Sequence, residues 1–300
     1  MQKLAPIALF VYNRPEHTRR TIKFLQANYL AEESRLYIFA DAAKSADEEE
    51  NVKQVKAIIE SAEGFKNIKI TYQKENLGLA KSIIDGVTEL INTYGKVIVF
   101  EDDLLSSPYT LEFFNEALEL YQNEEKLMHI GAYMYPLAKA DELPETFIYR
   151  AVHSWGWATW KRAWDHFNPN IDDLIAQFDV QKINDFSIDG KMNFWKQMKD
   201  FKAGRNNSWA IRWYASVFLN GGLSLNPSKS LIHNIGHDGS GIHSNKENTY
   251  AVSIHQKAIK EFPKEIEENR IAYEKVRDFL AKRKGNFIQR VIRFMKKRLH

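Results

Sequence analysis

The chain has no cysteine in its 300 residues. This excludes disulfide staples, thiolate nucleophiles and cysteine-ligated metals, and it agrees with a reducing compartment. No run reaches the ~18 apolar residues that a membrane-crossing helix needs. Met1 to Pro6 lead straight into an apolar stretch of strand length, without the basic start, apolar middle and small-residue cleavage site of a secretory leader. A cytoplasmic protein is therefore expected. After the first apolar run the sequence reads Asn13-Arg14-Pro15, where a nicotinamide dehydrogenase or a methyltransferase would carry a glycine-rich turn. The GxxxxGK[ST] loop of P-loop enzymes is also absent, as are repeats and low-complexity segments.

What is present suits one α/β body with embellishments. Apolar residues make up 44% of the chain and charged ones 27%, enough for a sizeable core and too apolar for global disorder. The 7 Trp, 13 Tyr and 18 Phe serve either as core or as platforms for the CH faces of sugars. The net charge of +3 conceals an asymmetry: Lys282 to His300 holds eight Lys and Arg and no acid, so the rest of the chain stands at −5. An acidic body without a basic-aromatic module argues against nucleic acid as a partner.

The first half alternates strand and helix signals. Ile7–Tyr12, Arg35–Ala40, Ile68–Gln73 and Lys96–Phe100 read as strands. Helices are expected from Pro15 to about Asn28, Ala46 to Ala62, Leu79 to Tyr94, and Pro108 to about Tyr121. That order predicts a parallel sheet with helices on both faces. Beyond Gly131 the pattern is irregular. His153–Trp164 holds four of the seven Trp. Helix-like stretches follow at Asn193–Ala203 and Trp209–Leu219, then a Gly- and Asn-rich run at Asn220–Ser244. From His255 onward the charge-rich sequence reads as helical. The expected division is a body over 1–245 and a helical extension over 246–300.

In open α/β sheets, ligands sit beyond the carboxyl ends of the strands. Three polar groups fall there: Tyr12-Asn13-Arg14, Asp41, and Glu101-Asp102-Asp103. Adjacent carboxylates leaving a buried strand can hold a divalent ion that bridges two phosphates. The competing reading is an acidic turn that starts a helix. Arg14 is placed to pair with a diphosphate beside the helix opening at Pro15, or else is a surface arginine. Asp41 can accept from a base or ribose, or cap a turn. Asn76 and Lys81 flank Gly78 in a loop entering a helix, where they either touch a donor or serve the helix start.

The runs EDDLLSSPYTLEFF (Glu101–Phe114) and YRAVHSWGWATWKRAW (Tyr149–Trp164) resemble the N-acetylglucosaminyltransferase I type of GT-A glycosyltransferase and its bacterial relatives. The similarity extends over about Pro6 to His243. It implies a Rossmann-like nucleotide-diphospho-sugar transferase fold with a mostly parallel central sheet. It also implies an inverting reaction on a UDP-sugar, often UDP-GlcNAc, with Mn2+ or Mg2+. By the same match Asp103 would bind the metal, Glu101 and Asp102 would contact ribose and sugar, and Arg14 and Asp41 would touch phosphate and uracil. Trp155, Gly156 and Trp157, with Trp209, either line the sugar pocket or belong to the aromatic core. Gly236 to His243 would form a late lid carrying a metal-binding histidine, His237 or His243, or else is a flexible polar loop with ordinary histidines.

One departure bears on mechanism. The family's general base is an aspartate in a Trp-Asp-rich helix start, and the matching Trp209–Trp213 segment has Ala210 or Ile211 there. An inverting reaction needs a base within reach of the acceptor hydroxyl, and Asp238, then Asp200, are the replacements. A domain of the same kind that binds a nucleotide sugar or glycan without turnover is the other reading. In the tail, Phe287, Ile288, Val291, Met295 and Leu299 recur at helical spacing among Lys and Arg. That pattern suits a helix lying on an anionic inner membrane surface, where a lipid-linked or other acceptor glycan would be met.

Overall fold

A computed structural model describes residues 3–238 and 248–283. The alternation read from the sequence is realised in the first half. Strands β1 (Ile7–Val11), β2 (Arg35–Ala40), β3 (Asn67–Tyr72) and β4 (Lys96–Glu101) alternate with helices α1 (Pro15–Gln26), α2 (Glu49–Glu60) and α3 (Leu79–Tyr94). Next come β5 (Leu104–Ser106), α4 (Thr110–Leu120), β6 (Leu127–Gly131), β7 (Thr146–Tyr149) and β8 (Trp157–Trp160). Helices α5 (Lys161–Trp164), α6 (Ile171–Ile175), α7 (Val180–Phe186), α8 (Phe194–Lys202) and α9 (Trp209–Leu219) follow. The chain then forms β9 (Leu223–Pro227), β10 (Ile232–Asn234) and α10 (Arg270–Lys282).

The main sheet has eight strands in the order β3-β2-β1-β4-β8-β6-β9-β7. β3, β2, β1 and β4 are parallel; β8 then runs antiparallel between β4 and β6, β9 is parallel to β6, and β7 closes the edge antiparallel. This is the mixed, mostly parallel α/β sheet that the sequence predicts. The inner parallel strands β1, β2 and β4 are apolar on both sides because both faces are covered, while the edge strand β3 alternates with exposed polar residues. Ile7, Leu9 and Val11 of β1 join one cluster with Ile22 and Leu25 of α1 and Val55 and Ile59 of α2. Ala8 and Phe10 join the opposite cluster with Ile83, Val87 and Leu90 of α3 and Trp209 and Trp213 of α9. Helix α1 buries Thr18, Thr21, Ile22 and Leu25, the three- and four-residue spacing of a one-faced helix. A third cluster, with Phe147, Tyr149, Phe186, Tyr214 and Leu280, packs β7, α7, α9 and α10 together.

Several boundaries differ from the sequence reading, each for a physical reason. The second helix begins as a tight turn at Ala46–Glu48 and becomes regular only at Glu49. Pro108 does not open α4: it sits in the preceding turn, its carbonyl accepting Tyr29 N–H at 2.9 Å, and the helix starts at Thr110. The helix expected from His255 onward does not begin there. Between Tyr250 and Asn269 the chain has no helix. Instead it is strapped across the body: His255 N–H donates to Ser230 O at 2.8 Å, and Lys260 and Glu261 N–H donate to one Glu145 oxygen at 2.6 and 3.0 Å. Phe262 stacks on Phe113, and Ile259 is buried in the first cluster. Helix begins only at Arg270, where the Asn269 side chain accepts Ala272 N–H. Charge density in this stretch suggested a solvated helix; its spaced apolar residues are anchors to the body.

Candidate active site

The sheet order changes direction between β1 and β4. β1 leads through α1 toward β2 on one side, while β4 arrives from α3 on the other, and Phe10 pairs in register with Glu101. The crevice at such a switch point lies beyond the carboxyl ends of these two strands. Here β1 delivers Tyr12, Asn13 and Arg14, and β4 delivers Glu101, Asp102 and Asp103.

Arg14 precedes the first turn of α1, its carbonyl accepting both Thr18 N–H and the Thr18 hydroxyl, at 3.0 and 2.9 Å. Its side chain turns over the carboxylates. Nη2 bonds Asp102 Oδ1, and Nη1 lies 3.0 Å from Asp103 Oδ2. The Asp102 side chain is 5% exposed and that of Asp103 12%, so the three charges meet in a largely dehydrated place. Burial works to lower the Arg14 pKa, but Asp102 and Asp103 outweigh it and hold the guanidinium firmly charged. Burial raises the Asp102 pKa, opposed by Arg14. Glu101 is also pushed up, by burial first and then by Asp103 and Asp102.

The far side of Asp103 is closed by the ribbon of β5 and β10, antiparallel with Leu104 opposite Asn234. Ile235 N–H donates to Asp103 O at 2.9 Å, and the Asn234 amide reaches Asp103 Oδ1 at 3.5 Å. Asn234 Oδ1 in turn accepts Gly236 N–H at 2.8 Å. A β-carbon on Gly236 would stand 2.2 Å from Asp103 Oδ2, so any larger residue there requires the carboxylate or the turn to shift. Asn234 escaped the sequence reading because nothing local marks it; its partner is 131 residues away.

The other strand-end residues form a second, framing network. Tyr12 donates its hydroxyl hydrogen to Glu48 and accepts Lys44 N–H at 3.0 Å, while Asn13 Nδ2 donates to Glu48 Oε1 at 2.9 Å. Burial and the Glu48 contact push the Tyr12 phenol up to about 12. Glu48 was also missed by the sequence reading, being one of several acids in an acidic helix start. The Asp41 carboxylate accepts three backbone N–H groups: Ala42 at 3.0 Å, Leu77 at 2.9 Å and Gly78 at 2.9 Å. Asn76 Nδ2 donates to Ala42 O at 2.7 Å. Asp41 and Asn76 therefore tie the end of β2 to the loop that enters α3. Lys81 projects from α3 and pairs with Asp85 at 2.6 Å, exposed.

The aromatic residues divide into two groups. Trp155 is half-buried, edge-on to His237 with ring centres 5.1 Å apart, and also against Tyr133. Gly156 has φ +69°, and a β-carbon there would meet Ile232 Cγ1 at 2.9 Å. Trp157 is fully enclosed, stacked on Trp209 with centres 5.1 Å apart, and both belong to the cluster between the sheet and α3, α5 and α9. The His237 ring lies against Trp155 and Tyr250, and its Nε2 is enclosed with no hydrogen-bond partner among the described residues.

No carboxylate occupies the start of α9: Ile211 is buried and Ala210 packs on the second cluster. Asp200, near the end of α8, is engaged by Lys196 and by Arg205 at 2.6 Å, and these bonds hold its pKa low. Asp238 ends the turn that begins at Gly236, but its side chain lies outside the described residues. His243, most of the expected lid and nearly all of the basic tail also lie outside them.

Among the described residues no three His, Asp or Glu side chains converge into a ready-made metal cage. The donor set present is two adjacent carboxylates, Asp102 and Asp103. That fits Mg2+ or Mn2+, which bind through one or two carboxylates and complete their shell with water and substrate phosphate.

The sequence matches no protein-family model and no curated protein. Solved structures with partial likeness include residues 1–349 of TarS from S. aureus, at 11% identity and TM-score 0.44, over 76% of this chain and 60% of that one. A mannosyltransferase from Pyrobaculum calidifontis, solved with GDP-Man and Mn2+, aligns at 11% identity and TM-score 0.38 over 73% of each chain. The galactosyltransferase LgtC, solved with donor and acceptor sugar analogues, aligns at 10% identity and TM-score 0.38 over 73% of this chain and 72% of that one. At such values the function has to be argued from the site itself.

Proposed function

We propose that the chain is a GT-A glycosyltransferase that moves a sugar from a nucleoside diphosphate to an acceptor hydroxyl, with a divalent cation at Asp103. The observation that carries this reading is the meeting of Arg14, Asp102 and Asp103 at the switch point between β1 and β4. A cation site beside a buried arginine suits a diphosphate leaving group: the arginine takes phosphate oxygens in a planar, two-pronged contact. The cation would be held by Asp103, with Asp102 beside it, and supplies a Lewis acid for charge developing on the departing diphosphate.

Around that centre the chain's own groups orient the donor. Asp41 and Asn76 fix the loop at Leu77 and Gly78 beside the base and ribose. Tyr12 and Asn13, braced by Glu48, form the neighbouring wall. Glu101 and Asp102 face ribose and sugar, and Trp155 offers a half-buried ring toward the transferred or accepting sugar. In the inverting reaction the acceptor oxygen bonds to the anomeric carbon as the bond to phosphate breaks, and the acceptor proton passes to a carboxylate. Asp238, two residues past Gly236, is our choice for that base. UDP as nucleotide and GlcNAc as sugar rest on the resemblance of Glu101–Phe114 and Tyr149–Trp164. An acceptor on a cytoplasmic membrane face rests on the basic tail.

The absence of a carboxylate at Ala210 and Ile211 favours a second reading, a domain that binds a nucleotide sugar or glycan without turnover. Both readings share the donor site. Calorimetric titration of UDP, then UDP-GlcNAc, with and without Mn2+, should show metal-dependent binding that is lost in Asp103→Ala. No binding of any nucleotide sugar to the unaltered protein would sink the transferase and leave of the second reading only its glycan-binding form. Binding without release of UDP toward any acceptor would select the second.

A further inference from the structure

The contact between Arg14 and the two aspartates sets a condition on whatever else uses those carboxylates. Arg14 Nη2 bonds Asp102 Oδ1, and Nη1 lies 3.0 Å from Asp103 Oδ2. The guanidinium therefore stands where a cation would have to stand to use both groups. The other side of Asp103 is crowded too: the Asn234 amide lies 3.5 Å from Oδ1, and Gly236 comes so near Oδ2 that there is no room for a β-carbon between them. A divalent ion arriving alone must displace Arg14, whose side chain is only 20% exposed, and leave it without an anion. A buried charge stripped of its partner is strongly unfavourable. A diphosphate removes that difficulty, because its oxygens give Arg14 a new two-pronged partner as the carboxylates are released.

We propose that Arg14 acts as an internal counter-cation that keeps the Asp102–Asp103 pair closed to free divalent metal and yields it only to a nucleoside diphosphate, so that metal and nucleotide bind as a unit. The inference rests on the donor-site reading above and adds an order of binding to it. A separate observation points the same way. With no third His, Asp or Glu converging on the pair among the described residues, a lone ion exchanges few of its waters for protein oxygens, and a diphosphate adds the further ligands that hold it. If the open form of Arg14 is populated at roughly 1–10%, the apparent affinity for free metal drops about ten- to hundredfold.

The test is calorimetric titration of Mn2+ alone, and of Mn2+ with UDP present, into the full chain and into Arg14→Gln. The expected result is that Arg14→Gln binds Mn2+ alone about ten- to hundredfold more tightly than the unaltered protein, and that UDP strengthens Mn2+ binding to the unaltered protein far more than to the variant. Equal Mn2+ affinity of the two proteins without nucleotide, with UDP-dependent Mn2+ binding intact in the unaltered one, overturns the counter-cation role and leaves the donor site standing. Absence of Mn2+ and UDP binding in both proteins under every condition removes the donor site and this inference together. Should Arg14→Gln fail to fold, Arg14→Lys keeps the charge but cannot span both carboxylates. It should show intermediate affinity for Mn2+ alone and a rise in melting temperature on adding Mn2+ that the unaltered protein lacks. No such rise and no gain in affinity overturns the inference.

Discussion

Gly236 and Asp103 touch so closely that a β-carbon on the glycine would lie 2.2 Å from the carboxylate Oδ2 and 3.0 Å from Arg14 Nη1. The turn after β10 is thus part of the carboxylate site, although 133 residues separate the pair. Adding a methyl group forces either the turn outward or the carboxylate off its bearing. Gly236→Ala should fold with a loss of about 1–3 kcal/mol, in the range of overpacking. It should weaken Mn2+-dependent UDP binding by roughly tenfold or more, a decade being about 1.4 kcal/mol. Calorimetry beside urea unfolding separates the two effects. An unchanged UDP affinity would detach Asp103 from the donor site.

Asp41 holds three backbone N–H groups across two loops, a bracing role in this structure. Asp41→Ala leaves those donors unpaired, at about 1–3 kcal/mol, and should lower the urea midpoint while raising the Kd for UDP. Asp41→Asn should restore little, since its amide nitrogen would face backbone donors. A variant with full stability but no UDP binding would instead make Asp41 a direct ligand of the base.

The parallel half was legible because both of its signals are local: apolar runs of strand length and helices with three- and four-residue spacing. Leu79–Tyr94 is found in the structure with the bounds read from the sequence. The carboxylate cluster was legible for the same reason, since a strand end can be read from its own residues. Asn234 and Glu48 could not be read in this way. Asn234 owes its position to the pairing of β10 with β5, and Glu48, the partner of Tyr12 and Asn13, to the turn before α2; long-range pairing leaves no periodic trace. The strap from Tyr250 to Asn269 was misread because its charge masks the anchors Ile259 and Phe262.

A buried imidazole pair gives the fold a predictable acid limit. Trp213 Nε1 donates to His129 Nδ1 at 3.1 Å, so His129 Nε2 carries the hydrogen and donates to His153 O at 3.0 Å. His153 Nε2 meets the Tyr149 hydroxyl at 2.5 Å. Burial pushes both imidazoles down to about 3, from an ordinary 6.5. Below pH 6.5 the unfolded chain takes up protons that the folded chain refuses, so stability falls as the pH drops toward 3. Each histidine should contribute a loss of about 2 kcal/mol between pH 7 and pH 5, at about 1.4 kcal/mol per unit of pKa difference. Urea midpoints at the two pH values check this, and His153→Gln should remove about half of the difference, leaving the share of His129. Equal acid sensitivity in that variant would assign the effect elsewhere.

Two neighbouring tryptophans should respond in opposite ways. Trp157 is fully enclosed, and Trp157→Ala should cost about 3–5 kcal/mol of stability, with activity falling only as the folded fraction falls. Trp155 is half-buried beside His237, so Trp155→Ala should leave the melting temperature far closer to that of the unaltered protein while raising the KM for acceptor. Thermal unfolding paired with transfer kinetics decides the matter; the reverse pattern would move the sugar platform to Trp157.

The ribbon of β5 and β10 also has a meaning in time. Synthesis proceeds at about 5–20 residues per second, so Asn234 follows Asp103 out of the ribosome by roughly 7 to 26 seconds. The strands that carry the acids, and the helix that starts beyond Arg14, are complete long before that. Arg14 and the two aspartates all belong to the early segment, so both sides of their contact are synthesised before Asn234 and Gly236. A contact confined to residues 14–103 needs no later part of the chain, whereas the Asn234 and Gly236 side of the site waits for the last strand.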